Sequence, residues 1–447
     1  MRITTKKFFV LLFVMFLITS FGHVSAAQNP FRGITTTTDG HPTWDSDMIN
    51  IEQVEETGKG VYVAVLDTGL VPNWMDYFPE ERIATEFGIG FYQPVTIRPD
   101  GSDFEVGELH TTTYIGSVGS THGTHVTSTI IGYFYDANAD TFGGWPLDPL
   151  IVRGIAPDVT IIPVKVLADY TFPGLGAGLG QKIVFGTDSM VAAGIDYITD
   201  LKLSGALGDS PVVISMSLGG PSLSPVEKNA IDNAIANGVI VVAAAGNEGT
   251  DGMSFPGAYA PVISAGASGW TKEWLLPDDG PFYRLWWLQE NPYGWNDIPE
   301  PAPVDEVYVT NFSSRELPGQ ELDVLAPGSW VRGPFPGFPG YSHLPWWSEG
   351  IGDFAGLNPG NFYYVGGTSM ATPHVSAVAA LMLEKNPTLN QADIESILKS
   401  TALPIPAPDS RSGVFVPFAP FFVTFAWDTD ATGAGLIMAD AALAAIP

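Results

Sequence analysis

Three short segments carry the side chains that nucleophilic acyl transfer requires. Asp67 follows the apolar residues 61–66, His122 opens the segment HGTH, and Ser369 lies within GTSMATPH. Acyl transfer needs a hydroxyl to attack a carbonyl, an imidazole to take the hydroxyl's proton and a carboxylate to orient the imidazole. The three segments therefore predict a catalytic centre if the fold brings them together.

Each of these residues also has an ordinary structural explanation when it is taken alone. An aspartate at a strand end often only caps a turn, and a serine at the start of a helix is often an N-cap. His122 and His125 fit a structural pair or two metal ligands, but the nearby sequence offers no third histidine and no HExxH segment. We interpret His122 as a general base and His125 as a structural residue.

Short apolar runs indicate the strands that must position these side chains. Residues 61–66 are wholly apolar, and similar runs recur along the first 270 residues. Unbroken apolar runs of this length are typical of strands buried on both faces, as in parallel sheets. The predicted strands are 61–66, 159–166, 212–216, 239–244 and 262–265.

Helical segments lie between and after these runs. In residues 224–237, Ser224 is a candidate N-cap, Pro225 takes the first helical position and Glu227 completes a capping box. A second helix is predicted at 390–402. Strands that alternate with helices predict right-handed βαβ units and an α/β fold, doubly wound, with a mostly parallel sheet and helices on both faces.

The predicted fold gives the catalytic residues a position. In such sheets the active site forms at the carboxyl ends of the strands, which is where Asp67 lies. Residues 270–310 and 329–361 break the pattern, since they are rich in Pro, Gly and aromatic residues and hold eight of the twelve tryptophans. We interpret both as aromatic-rich loop insertions at the surface.

The first 26 residues have the organisation of a secretory signal peptide. Three cations precede an apolar run at 8–21, and small residues around Ala26 form a cleavage pattern. The run is shorter than the ~20 residues that span a bilayer, which disfavours a membrane anchor. We expect a secreted, extracellular protein without membrane contact after cleavage, with a short segment at 27–43 that has no room for a prodomain and one large domain at 44–447.

Composition narrows the classes of partner. The chain has 19 Lys and Arg against 48 Asp and Glu, a net charge of −29, and loss of three cations with the signal peptide gives −32. Binding of nucleic acid needs clustered cations, so nucleic acid is disfavoured, whereas bound Ca²⁺ is favoured. The chain has no cysteine, which excludes a thiol nucleophile and disulfide bonds.

The order Asp67, His122, Ser369 is the order found in subtilisin. With this order, the segments VAVLDTG, HGTH and GTSMATPH resemble the subtilisin-like serine peptidases, the subtilase family, over roughly residues 44–444. The resemblance implies a subtilisin-like fold and a serine endopeptidase, with Ser369 as nucleophile, His122 as general base and Asp67 orienting His122. It implies protein or peptide substrates and no cofactor for the chemistry.

A fourth family element is Asn247 in the segment AAAGNEG. The resemblance implies that its side-chain amide donates to the oxyanion, although a turn after a strand is its ordinary explanation. Two segments resemble the walls of the pocket for the residue before the cut, and their small side chains favour broad cleavage after Phe, Leu, Tyr or Met. The wall residues are Ser217, Leu218, Gly219, Ala245 and Gly246.

Structural calcium is expected on this acidic protein. Asp136, Asn138 and Asp140 place three oxygen-bearing side chains at alternate positions, a spacing that lets a turning loop converge on a hard cation. A solvated acidic turn is the ordinary explanation of the same pattern. Asp428 and Asp430 form a weaker candidate pair.

Two other functions fit the same segments. One is a catalytically silent binding protein on a peptidase scaffold, whose aromatic insertions hold a glycan or a peptide. The other is a peptide ligase, which passes the acyl group to an amine. All four catalytic elements are intact, which favours the hydrolase, and we expect a monomer.

Overall fold

A computed structural model describes most of the chain. The described residues are 30–97, 104–116, 120–136, 141–142, 145–146, 149–171, 182–273, 298–336, 348–349, 361–416 and 422–447. The predicted signal peptide lies outside them. Contacts divide the chain into residues 1–34 and residues 35–447. In the first unit, the described residues 30–34 form a turn with a hydrogen bond from Ile34 N to Phe31 O. The helices and strands of the described residues lie in the second unit.

Nine strands of the described residues form a central sheet. They are β1 Tyr62–Asp67, β2 Ile89–Tyr92, β3 His110–Thr112, β4 Thr160–Lys165, β5 Val212–Met216, β6 Val239–Ala244, β7 Ile263–Trp270, β8 Val307–Val309 and β9 Val324–Pro327. Their spatial order is β8-β7-β6-β5-β1-β4-β2-β3, and β9 also pairs with β7. The pairs β7–β8 and β2–β3 are antiparallel, and the other pairs are parallel.

Helices cover both faces of this sheet. They are α1 Trp44–Asp47, α2 Thr121–Ile131, α3 Asp188–Leu203, α4 Pro225–Ala236, α5 Thr368–Lys385, α6 Gln391–Thr401 and α7 Ala439–Ala444. Alternate residues of β1 point to opposite faces. Val63 and Val65 join the core with α2 and α5, whereas Ala64 and Leu66 join the core with α3 and α4. The doubly wound, mostly parallel α/β fold is therefore confirmed.

Paired strands outside the central sheet are short. The antiparallel pairs are Val95–Ile97 with Phe104–Val106, Gly132–Tyr135 with Leu150–Arg153, Thr141–Phe142 with Trp145–Pro146, Ala168–Thr171 with Lys182–Phe185, and Asp409–Phe415 with Phe422–Trp427. Phe362–Val365 pairs antiparallel with both Val331–Pro334 and Ser348–Glu349. In the described part of the chain, no helix is both long enough and apolar enough to cross a membrane.

Of the two hydrogen bonds of the capping box predicted at Ser224, one is present and the other prediction is wrong. Ser224 Oγ accepts a hydrogen bond from Glu227 N at 3.3 Å, but the Glu227 carboxylate does not return one to the Ser224 backbone. Glu227 is only 5% exposed, and burial, with the nearby charge of Asp188, raises its pKa to about 7. A reciprocal box forms instead at α6, between Asn390 and Asp393.

The two aromatic-rich segments are partly built into the core. Val307–Val309 is strand β8 of the central sheet, so the predicted surface insertion 270–310 contributes one core strand. Trp270 and Trp330 are 3% and 2% exposed. Residues 274–297, 337–347 and 350–360 lie outside the described residues, so the domain limits remain a prediction.

Candidate active site

The Asp67 carboxylate and the His122 ring form a hydrogen-bonded pair. Asp67 is the last residue of β1, and His122 is the second residue of α2. His122 Nδ1 lies 2.8 Å from Asp67 Oδ1 and 2.9 Å from Oδ2. The Asp67 side chain is fully buried, while the His122 side chain is 27% exposed. Since Nδ1–H donates to the carboxylate, Nε2 is the basic nitrogen of the neutral ring.

The loop after β1 fixes the carboxylate. Thr68 N donates to Asp67 Oδ1 at 2.6 Å, and Thr68 Oγ1 accepts from Gly123 N at 2.9 Å. A Cβ at Gly123 would lie 3.1 Å from Asp67 Oδ1, closer than an ordinary contact. Glycine at this position therefore lets the first turn of α2 approach the aspartate.

Electrostatics set the two histidines apart. Burial lowers the pKa of His122, but the charge of Asp67 and the hydrogen bond to it raise the pKa, and the net shift is upward from 6.5. His125 is fully buried, and burial, followed by repulsion from His122, lowers its pKa to about 4. A neutral His125 donates from Nε2 to Val331 O, 3.1 Å away, which agrees with its interpretation as a structural residue.

Ser369 lies at the start of α5, which packs against α2. Its hydroxyl donates to Ser217 O at 3.3 Å. Among the described residues, no hydrogen bond joins Ser369 Oγ to the His122 ring.

Asn247 is held against the same turn of α5. Its Oδ1 accepts from Thr368 N at 2.9 Å and from Thr368 Oγ1 at 3.1 Å. The Asn247 amide NH₂ makes no hydrogen bond to the described residues, so it is available to a substrate oxygen. Thr368 is a residue that sequence analysis did not select, because nothing local in the sequence links it to a loop 121 residues away.

The two predicted pocket walls are joined at one end by Ser254 and Phe255. Ser254 N donates to Ala245 O, and Phe255 and Gly220 exchange two backbone hydrogen bonds, each 2.8 Å long. A Cβ at Gly219 would lie 2.6 Å from Ser254 Cβ, and a Cβ at Gly246 would lie 2.7 Å from Ser254 Oγ. Ser254 therefore packs against Gly219 of one predicted wall and Gly246 of the other, and sequence analysis missed it.

An acidic side chain lies next to Ser254. Glu248 Oε2 accepts from Ser254 Oγ at 2.9 Å and from Ser314 Oγ at 3.0 Å, and it also occupies the space beside Gly246. The rest of the Glu248 side chain is exposed to solvent. The Glu248 carboxylate therefore lies beside Ser254 and Gly246, next to the segments predicted as pocket walls.

The predicted calcium ligands are only partly described. Asp136 is a described residue, but Asn138 and Asp140 lie outside the described residues. Asp428 Oδ1 accepts from Thr429 N at 2.7 Å, so it caps a short helix as an aspartate ordinarily does.

Two other acidic clusters occur in the described part of the chain. Asp323 and its neighbours Glu321 and Glu395 surround Lys399, whose Nζ lies 2.9 Å from Asp323 Oδ1, so a lysine already forms ion pairs with this cluster. The other cluster comprises Asp47, Glu52 and Glu300, in which burial raises the pKa of Glu52 to about 9.

Comparison with known proteins identifies the family of this chain. A model of the subtilase family matches residues 58–414, which is most of the chain. The chain belongs to the subtilase family. This membership supports a serine endopeptidase, and subtilases need no cofactor for catalysis. The family match spans β1, α2 and α5, which carry Asp67, His122 and Ser369, and the loop after β6, which carries Asn247.

Individual subtilases are similar over much of the chain. Subtilisin DY of Bacillus licheniformis is 29% identical over 349 residues, 77% of this chain and 84% of that protein. Subtilisin E of Bacillus subtilis (strain 168) is 32% identical over 288 residues, 64% of this chain and 51% of that protein. M-protease of Shouchella clausii (strain KSM-K16) is 30% identical over 346 residues, 77% of this chain and 60% of that protein.

A solved structure supports the subtilisin-like fold. The crystal structure of fervidolysin from Fervidobacterium pennivorans, a keratinolytic enzyme related to subtilisin, matches with a TM-score of 0.51 and 25% identity. The match covers 91% of this subtilase but 46% of fervidolysin. This chain therefore spans about half the length of several relatives that it matches.

Proposed function

We propose that this subtilase is a secreted serine endopeptidase that hydrolyses peptide bonds through an acyl-enzyme on Ser369. The observation that carries the proposal is the bond from His122 Nδ1 to both oxygens of a buried carboxylate, Asp67. That bond leaves Nε2 as the basic nitrogen of the neutral His122 ring. Secretion rests on the signal-peptide pattern at residues 1–26 and is tested by the N-terminus of the protein recovered from culture medium.

In the proposed mechanism, Ser369 turns from Ser217 O toward His122 Nε2 and attacks the substrate carbonyl as Nε2 takes its proton. The positive charge that forms on His122 is stabilised by Asp67. The oxyanion accepts hydrogen bonds from the Asn247 side-chain amide and the Ser369 N–H, which lies at the N-terminus of α5. His122 then gives its proton to the leaving amine, and water releases the acyl group by the same route.

For specificity, we propose that the residue before the cut enters the slot between Ser217-Leu218-Gly219 and Ala245-Gly246. The small walls support preference for a large apolar side chain. The Glu248 carboxylate beside Gly246 opposes an acidic side chain by like-charge repulsion. Peptides that differ only at this residue are expected to be cleaved fastest with Phe, Leu, Tyr or Met and slowest with Asp or Glu.

Labelling with diisopropyl fluorophosphate tests the nucleophile. We expect one covalent adduct, on Ser369, and no adduct on a folded Ser369→Ala variant. A folded wild-type protein that stays unlabelled and cleaves no peptide would support a silent binding protein instead. Mass analysis of products formed with an added peptide amine separates the peptidase from a ligase, since hydrolysis yields only free carboxylates.

We also propose that the mature protein is a monomer that binds calcium as a structural ion at residues 136–140. Asp136, Asn138 and Asp140 would supply oxygen ligands, which hard cations prefer. Calcium has no part in the proposed proton transfers. Size-exclusion chromatography with light scattering tests the oligomeric state.

A further inference from the structure

The carbonyl of Ser369 lacks its helical partner. In an α-helix, the N–H of residue 373 donates to the carbonyl of residue 369. Residue 373 is Pro373, which lies inside α5, has no N–H and crowds the carbonyl four residues earlier. The backbone of the proposed nucleophile is therefore the place where α5 has a missing hydrogen bond.

Ser217 supplies that hydrogen bond from the sheet. Its hydroxyl donates to Ser369 O at 2.7 Å, a short and strong geometry. Ser217 is the residue after β5 and is only 3% exposed, so water has little access to replace its hydroxyl. Ser369 Oγ in turn donates to Ser217 O at 3.3 Å, and the two serines are bonded in both directions.

The neighbouring carbonyls of α5 receive extra donors from the helix itself. Thr372 Oγ1 donates to Thr368 O at 2.8 Å, and His374 Nδ1 lies 2.7 Å from Met370 O. For Ser369 O, by contrast, the donor comes from a different element of the fold. The bond from Ser217 therefore ties the position of the nucleophile to the end of β5, where the substrate strand is proposed to bind.

We propose that the Ser217 side chain is a positioning residue for Ser369. It replaces the N–H that Pro373 lacks and holds the first turn of α5, so that Ser369 Oγ and the Ser369 N–H lie where attack and oxyanion binding need them. This role is separate from the Ser217 backbone, which is proposed to pair with substrate. A nucleophile displaced by about 1 Å loses up to ~10²-fold in rate. The inference depends on the proposed function of Ser369.

A double-mutant cycle tests the proposal. Ser217→Ala removes the donor but keeps the backbone carbonyl, so we expect kcat to fall by about 10-fold, the equivalent of one hydrogen bond, with KM changed less than about twofold. Pro373→Ala restores an N–H that can donate to Ser369 O within the helix. In that background, Ser217→Ala is expected to lower kcat by less than about twofold.

Ser215→Ala is a matched control. Ser215 lies on the same strand, and its hydroxyl accepts from Ser376 Oγ at 2.9 Å, so this variant also removes a buried hydroxyl contact between β5 and α5. Ser376 lies two turns beyond Ser369. We expect Ser215→Ala to lower the melting temperature and to leave kcat within about twofold of wild type.

Three results would overturn the inference. They are an equal loss of kcat from Ser217→Ala in both backgrounds, a loss seen only in KM, and an equal loss of kcat in Ser215→Ala. If Ser217→Ala alone does not fold, Pro373→Ala is compared with the double variant, and a loss above about fivefold overturns the proposal. Failure of the proposed function looks different, because the wild type itself would then neither hydrolyse peptides nor take up fluorophosphate.

Discussion

Thr368 donates two hydrogen bonds to a single oxygen of Asn247, one from its backbone N–H and one from its hydroxyl. Both groups are donors, so the atom that receives them is the amide oxygen and the NH₂ group faces away. An amide fixed in this way needs no reorientation when an oxyanion forms. The start of α5 therefore carries the proposed nucleophile and also orients the proposed oxyanion donor.

We expect Asn247→Ala to lower kcat by ~10² to 10³, the range typical of removing one oxyanion donor, with little change in KM. Thr368→Val keeps the backbone donor and loses only the hydroxyl, so we expect a smaller fall, of about 10-fold. Steady-state kinetics on one peptide substrate measures both. Equal activity of Asn247→Ala and wild type would remove Asn247 from the proposed mechanism.

The dependence of kcat/KM on pH should show the protonation of His122, whose pKa is set by its pairing with Asp67. Asp67 raises the pKa of His122 above 6.5 on balance, and only the neutral ring can accept the Ser369 proton. The value of kcat/KM is therefore expected to fall tenfold per pH unit below that pKa and to be level above it. Profiles from pH 4 to 9 test this, and a flat profile contradicts His122 as the base.

Asp67→Asn separates the charge of the carboxylate from its shape. The amide keeps the size of the side chain but loses the negative charge that raises the pKa of His122. We expect the acidic limb of the profile to move to lower pH and kcat to fall by up to ~10⁴, because the ring is no longer held in the required tautomer. An unshifted limb would mean that another group controls the profile.

Local sequence signals were sufficient to locate most of the central strands, and they also selected three of the catalytic candidates. Apolar runs located β1, β4, β5 and β6 to within one residue at each end. They could do so because a parallel strand that is buried on both faces consists of consecutive apolar residues. Asp67, His122 and Ser369 were selected because each lies in a short segment whose neighbours constrain its direction, whereas Asn247 was selected through the resemblance to subtilases.

The missing parts depend on contacts between distant segments. Ser254 bonds to Ala245 and Glu248 beside the proposed pocket, but nothing in the residues around it marks this position. Thr368 and Ser217 act on partners 121 and 152 residues away. The failed half of the capping box at Glu227 has a similar cause, because burial against the rest of the fold outweighed a local hydrogen bond.

Removal of divalent cations tests the proposed calcium site. If the loop at 136–140 binds calcium in the folded state only, chelation with EDTA lowers the melting temperature by roughly 5 °C and added Ca²⁺ restores it. Asp136→Asn is expected to reduce this dependence. Asp428→Asn is the matched control, because its Oδ1 can still cap the helix, and loss of the calcium effect in that variant alone would place the ion at the second candidate site.

The buried Glu273 side chain is expected to make the stability of the folded protein depend on pH, independently of catalysis. This residue is fully buried, and its Oε1 accepts from Tyr308 OH at 2.6 Å and from Ser329 Oγ at 3.1 Å. Burial raises its pKa to about 8, and the hydrogen bonds only partly oppose that shift. Between pH 4.5 and 8, the folded protein keeps a proton that the unfolded chain has lost, so the contribution of Glu273 to stability decreases as the pH rises.

Glu273→Gln removes this titration and keeps a side chain of similar size. We expect the difference in free energy of unfolding between the variant and its parent to shift in favour of the variant by about 1.4 kcal/mol per pH unit across that window. Above pH 8 this difference is expected to stay constant. Denaturant unfolding of both proteins in a Ser369→Ala background avoids self-digestion. Glu80→Gln removes an exposed carboxylate and should show no such divergence. A constant difference between Glu273→Gln and its parent from pH 5 to 8 means that the Glu273 carboxyl titrates alike in the folded and unfolded states.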